Sequence, residues 1–233
     1  MRINLFIVIG FKQMQNPHDF FNNMDYEEKI IFSCKNGVAS SFAYAQLLEN
    51  LKAASIQMDR IWLYAKTMKK YPEPDPNDPN FQLKSKEYIK SERQKYQQLF
   101  IDIHFYFISW GNIKLMMRHL SRQPEFMSAN IVFNSHRKII DHYINARNTF
   151  EHFDERLPGG KKYERVKEVQ SKGAAPRRIF RGISKDGFYL HSDKKWDIKK
   201  SSLEKLFEIV NDFLAKINEA VDLSIEQKTK ITL

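Results

Sequence analysis

Six consecutive residues, Arg147-Asn148-Thr149-Phe150-Glu151-His152, bring an arginine, an amide and a histidine together. The arginine is a permanently charged planar fork that suits phosphate. The histidine holds or releases a proton near neutral pH. The amide can orient either. Cleaving RNA needs a proton taken from a 2′-hydroxyl, a proton given to the leaving 5′-oxygen, and charge stabilised on the phosphorus oxygens. Arginine and histidine are a sensible minimum for this without metal. One histidine per chain is thin for two proton transfers, and two chains would supply two.

The segment falls near the end of a helix predicted from Ser128 to Arg156. On an ideal helix Arg147 lies within about 40° of the apolar stripe, and His152 lies about 140° further round. Asn148 falls between them. The three form an arc on one flank rather than a single face. The plain alternative is structural: Arg147 pairs with Glu151 at i+4, and His152 is a surface residue. Glu151, Asp154 and Glu155 favour that alternative, since carboxylates near a phosphate site repel the substrate.

Arg147-Asn148-x-x-x-His152 resembles the R-x4–6-H motif of HEPN domains, with the polar residue that often follows the arginine. The resemblance covers the helices of roughly 38–156. It implies an all-helical bundle that pairs as a homodimer, with two motifs lining one cleft. It also implies a metal-independent endoribonuclease of the toxin or defence-effector kind, with no cofactor, that an antitoxin or regulatory protein would restrain. Arg147 would then bind phosphate, His152 act as acid or base, and Asn148 position them. The runner-up is a catalytically inactive HEPN-like module binding RNA, a nucleotide or a partner protein. A third reading is an interaction protein that dimerises through its aromatic helices.

The elements around the motif are legible from periodicity and punctuation. The fold class expected is mainly α: an antiparallel helical bundle with a small β-hairpin insertion and a short irregular or β N-terminal segment. Residues 1–37 form that segment, with short strands expected at Ile3–Gly10 and Lys29–Ser33. The bundle is expected over 38–156. Its first helix, Val38 to Lys70, has Ser40 or Ser41 as a candidate cap and an inward stripe of Phe42, Ala45, Leu48, Leu51, Met58, Ile61, Ala65 and Met68. Four prolines between Tyr71 and Pro79 stop it. The second helix, Lys84 to Leu120, would span roughly 55 Å. Its stripe holds Tyr96, Leu99 or Phe100, Ile103, Phe107, Trp110, Ile113 and Met117, and Gly111 is a candidate bend. The third buries Ile139, Ile140, Tyr143, Ala146, Phe150 and Phe153. Residues 157–200 form a basic loop and hairpin about Lys185-Asp186-Gly187. Residues 201–233 supply a last helix, Ser201 to Leu223, capped by Ser201 or Ser202, with a frayed polar tail after Ser224.

Charge points to a polyanion partner. The chain of 233 residues carries a formal net charge of +10. From Arg156 to Lys200 there are 14 Lys/Arg against 5 Asp/Glu, a balance of +9. Arg177, Arg178, Arg181, Lys194, Lys195, Lys199 and Lys200 are the candidate RNA-binding residues, interleaved with Phe180, Phe188, Tyr189 and Trp196. Cations meet phosphates, and aromatics stack on bases or else anchor the hairpin. A single cysteine, Cys34, precludes an internal disulfide and fits a reducing cytoplasm. No apolar run reaches the roughly 18–20 residues of a membrane span. Asp141-His142 and His136 lack the i, i+4 spacing of a helical metal site. Gly159-Gly160 alone makes no phosphate-cradling loop.

Overall fold

The computed structural model describes residues 24–68, 74–151, 182–183, 187–191 and 194–232. Among them the order is α1 (Tyr26–Ser33), α2 (Gly37–Met68), α3 (Phe81–Leu120), a 3-10 turn (Pro124–Phe126), α4 (Met127–Glu151), β1 (Gly182–Ile183), β2 (Phe188–His191), β3 (Lys194–Asp197) and α5 (Lys200–Thr232). The class is mainly α, as the periodicity requires. Two compact units divide the chain. The expected strand at Ile3–Gly10 lies outside the described residues.

The first unit takes its described residues from 24–48, 115–136 and 209–232. Here the expected strand at Lys29–Ser33 is instead the second half of α1. A short apolar run does not by itself distinguish strand from helix. The cap decides: the Asp25 carboxylate accepts from the Glu28 backbone N–H at 2.9 Å. Glu27 and Glu28 then sit in the first turn, where the helix dipole favours anions. Gly37 opens α2 directly against α1, and a Cβ there would come 2.2 Å from the Ile31 carbonyl oxygen. Ser40 and Ser41 are therefore buried inside the first turns of α2 and do not cap it.

The core of this unit holds Ile30, Leu47, Met117, Leu120, Phe126, Phe213, Ile217 and Val221. The Tyr26 hydroxyl donates to Asp222 Oδ2 at 2.8 Å, and the Tyr44 hydroxyl donates to Asn218 Oδ1 at 3.1 Å. The start of the α2 stripe is out of phase with the expectation: Phe42 is 65% exposed and Leu48 39%, while Ala43, Tyr44 and Leu47 are buried. Farther along the helix, in the second unit, Leu51, Met58 and Ile61 are buried as expected. Nor does the chain fray after Ser224. Ile225 and Thr229 are buried and continue the i, i+4 row from Val221, so α5 runs on to Thr232.

The second unit is drawn from 49–114 and 137–208. Its core is aromatic: Tyr106, Phe107, Trp110, Tyr143, Tyr189 and Trp196 are all buried. Trp110 stacks on Tyr143 with centroids 4.1 Å apart and planes 13° apart, which joins α3 to α4. Lys114 reaches Asp141 at 2.5 Å in the same helix pair. Tyr96, expected in the stripe, is instead 49% exposed.

Strands pair on either side of the expected Lys185-Asp186-Gly187 turn, of which Lys185 and Asp186 lie outside the described residues, and a third strand joins them. β1 pairs with β2, and β2 pairs with β3, both antiparallel, with Tyr189 opposite Trp196. Gly187 takes the positive φ of 75° that such a turn asks of glycine. Neither Ser201 nor Ser202 caps α5. Asp197 Oδ1 accepts from the Lys199 N–H and Asp197 Oδ2 from the Ser201 hydroxyl, each at 2.8 Å. The Ser202 hydroxyl sits 2.8 Å from the Tyr106 hydroxyl, tying the start of α5 to α3.

Candidate functional site

Arg147 lies in the last two turns described for α4. The α4 sequence places Tyr143 one turn earlier and Ala146 beside it, and both face the aromatic core. Phase then puts Arg147 at the core's edge, with its side chain 31% exposed. Its Nε–H donates to Glu151 Oε1 at 2.8 Å. This is the i+4 pair that the plain structural reading anticipates. Asn148, the next residue, is exposed. Thr149 is buried, and its hydroxyl donates back to the Asn145 carbonyl at 2.7 Å. His152 lies outside the described residues, so the arc is seen only from Arg147 to Glu151.

The Arg147 side chain rests on α3. An ideal Cβ at Gly111 would stand 3.0 Å from Arg147 Nη1, 3.1 Å from Cδ and 3.7 Å from Cζ. Gly111 is buried, and α3 continues through it as helix. The sequence suggests a bend there. What the structure places at that position is the arginine. Glycine inside a helix costs about 1 kcal/mol relative to alanine, so a bare backbone at this point needs a reason of its own. A signal was present in the sequence, since Gly111 is the one glycine of the aromatic helix. Its partner was not, because Arg147 comes from a different helix.

The basic candidates divide. Arg177, Arg178 and Arg181 lie outside the described residues. Lys194 and Lys195 are exposed on β3, and Lys200 is exposed at the first turn of α5. Lys199 is half-buried, and its side chain packs over Gly187, where a Cβ would meet its Cγ at 2.9 Å. Tyr189 and Trp196 are buried, so they anchor the sheet and are not available to stack on bases. The Trp196 indole N–H donates to the His142 carbonyl at 2.9 Å. That bond fixes the lysine-bearing strand to α4. Arg147 lies five residues beyond His142, a rise of about 7.5 Å. β3 and Arg147 thus share a stretch of α4, with Arg147 about 140° round the helix from His142.

Two groups near this stretch have displaced proton affinities. Desolvation lowers the pKa of His142 below the ordinary imidazole value. Burial, then the charge of Asp197, pushes the Tyr143 hydroxyl up to about 12. In the first unit, burial and then Glu125 push the Cys34 thiol up to about 12, which makes it a poor nucleophile. Among the described residues, no group of three or more His, Cys, Asp or Glu side chains could hold a metal ion. No helix among them is long and apolar enough to cross a membrane.

No protein-family model, curated protein or solved structure matches the chain.

Proposed function

We propose that the chain is a HEPN-like, metal-independent endoribonuclease that works as a homodimer. The observation carrying this is the seat of Arg147: a guanidinium laid on the bare backbone of α3, one third exposed, beside an exposed Asn148. Arg147 would bind the scissile phosphate, Asn148 would orient it, and His152 would transfer protons. In the reaction the 2′-oxygen loses its proton and attacks phosphorus. The bond to the 5′-oxygen breaks, that oxygen takes a proton, and the products are a 2′,3′-cyclic phosphate and a free 5′-hydroxyl. Two histidines, one from each copy, would serve as base and acid. Lys194, Lys195 and the arginines at 177, 178 and 181 would gather the RNA backbone. A toxin or defence role in the cytoplasm, held in check by a regulatory protein, goes with this reading.

The Glu151 pair does not disable the site. An i, i+4 pair at this exposure is worth roughly 0.3–0.5 kcal/mol. A hydrogen bond from arginine to an ionised phosphate is worth about 1.5–3 kcal/mol, so the phosphate outcompetes the carboxylate for the guanidinium. A second reading is a catalytically inactive RNA-binding module, in which Arg147 keeps its bond to Glu151 and the exposed Lys194 and Lys195 hold the RNA backbone.

The test is RNA cleavage by the full chain in EDTA, compared with His152→Ala and Arg147→Ala. The nuclease reading expects cleavage by the wild type alone, with all three proteins folded. Unchanged RNA with all three, together with salt-sensitive binding, selects the inactive module. Neither cleavage nor binding removes RNA as the partner.

A further inference from the structure

We propose that Gly111 is a positioning residue for Arg147, whose missing side chain leaves the shelf on which the guanidinium lies. Its functional consequence rests on the ribonuclease reading above. The geometric claim stands on its own observations. Three atoms along the outer half of the Arg147 side chain, Cδ, Cζ and Nη1, fall 3.0–3.7 Å from where a Cβ at 111 would be. The side chain thus lies along this backbone position rather than touching it at one point. The separation of the two helices is set next door, by the Trp110–Tyr143 stack, with centroids 4.1 Å apart. A methyl group at 111 cannot be absorbed by moving α3 off α4 without opening that stack. The flexible arginine gives way instead. Its Nε–H, now directed at Glu151 Oε1 at 2.8 Å, would turn elsewhere. A planar fork recognises phosphate by direction as well as charge. A Cβ at 3.0–3.1 Å obliges the side chain to give by a few tenths of an ångström, which is enough to turn the fork off its present direction and weaken positioning.

Alanine is a better helix former than glycine, so Gly111→Ala separates position from folding. The experiment uses the full chain labelled with 15N, with the Arg147 Nε–Hε resonance assigned by its disappearance in Arg147→Lys. The proposal expects Gly111→Ala to keep the wild-type circular dichroism while that resonance shifts and its proton exchanges faster with water. It also expects kcat for RNA cleavage to fall roughly 2- to 10-fold. An unmoved resonance in a folded Gly111→Ala protein overturns it. If Gly111→Ala fails to fold, a double-mutant cycle decides: in an Arg147→Ala background the alanine at 111 should be tolerated, and equal damage in that background overturns the proposal. The two claims fail separately. A shifted resonance in a chain that never cleaves RNA keeps the shelf and removes the nuclease. Cleavage that Gly111→Ala leaves untouched, with the resonance unmoved, removes the shelf and keeps the nuclease.

Discussion

Two sides of α4 are built on different energy scales. Its inner side, Ile140, Tyr143 and Ala146, is buried in the second unit, and Tyr143 is stacked on Trp110. Its flank, Arg147 and Glu151, is a one-third-exposed ion pair. Burying an aromatic side chain stabilises the fold by several kcal/mol, whereas the flank pair contributes a fraction of one. The inner side fixes where the flank is. The flank remains easy to rearrange, which the proposed exchange of a carboxylate for a phosphate requires.

The comparison breaks most visibly at Trp110. Trp110→Ala should cost about 3–5 kcal/mol of unfolding free energy in a urea titration. A loss under about 1 kcal/mol would mean that the stack does not hold α3 to α4. The next effect comes from the buried hydroxyl of Tyr143, raised to about 12 from the ordinary 10.0. A raised pKa on an acid means that the folded chain keeps a proton the unfolded chain gives up. The associated stability is complete below pH 10 and is lost as pH climbs towards 12, by roughly 2–3 kcal/mol in all. Tyrosinate absorbance and circular dichroism should therefore change together over that range, and Tyr143→Phe should weaken the alkaline loss. The smallest effect belongs to the flank. Glu151→Gln should change stability by less than about 0.5 kcal/mol yet tighten RNA binding, measured by fluorescence anisotropy. A large stability loss, or weaker binding, would make the pair structural.

How much could be read beforehand follows the same division. Long apolar rows are strong signals, and the four long helices are where periodicity puts them. Phase is a weaker signal. In α2, Phe42-Ala45-Leu48 and Ala43-Tyr44-Leu47 are adjacent rows that satisfy the same period. What distinguishes them is a long-range bond, Tyr44 to Asn218, which no local pattern contains. β3 was hidden because Lys194-Lys195-Trp196-Asp197 reads as a charged loop, and its one inward residue, Trp196, is held by a carbonyl of α4. The tail of α5 looked polar because its buried row, Ile225 and Thr229, is thin. At the site, the Arg147–Glu151 pair was visible in the i+4 spacing. The glycine beneath the arginine was not, since contacts between helices are set by packing rather than by sequence neighbours.

The central claim is that Arg147 serves phosphate chemistry rather than only closing a surface pair. The most direct measurement is the chemistry of the RNA ends after incubation with the full-length wild-type chain in EDTA. The account predicts 2′,3′-cyclic phosphate and 5′-hydroxyl termini. RNA recovered uncut at every protein concentration, or cut ends carrying a 5′-phosphate, would contradict it.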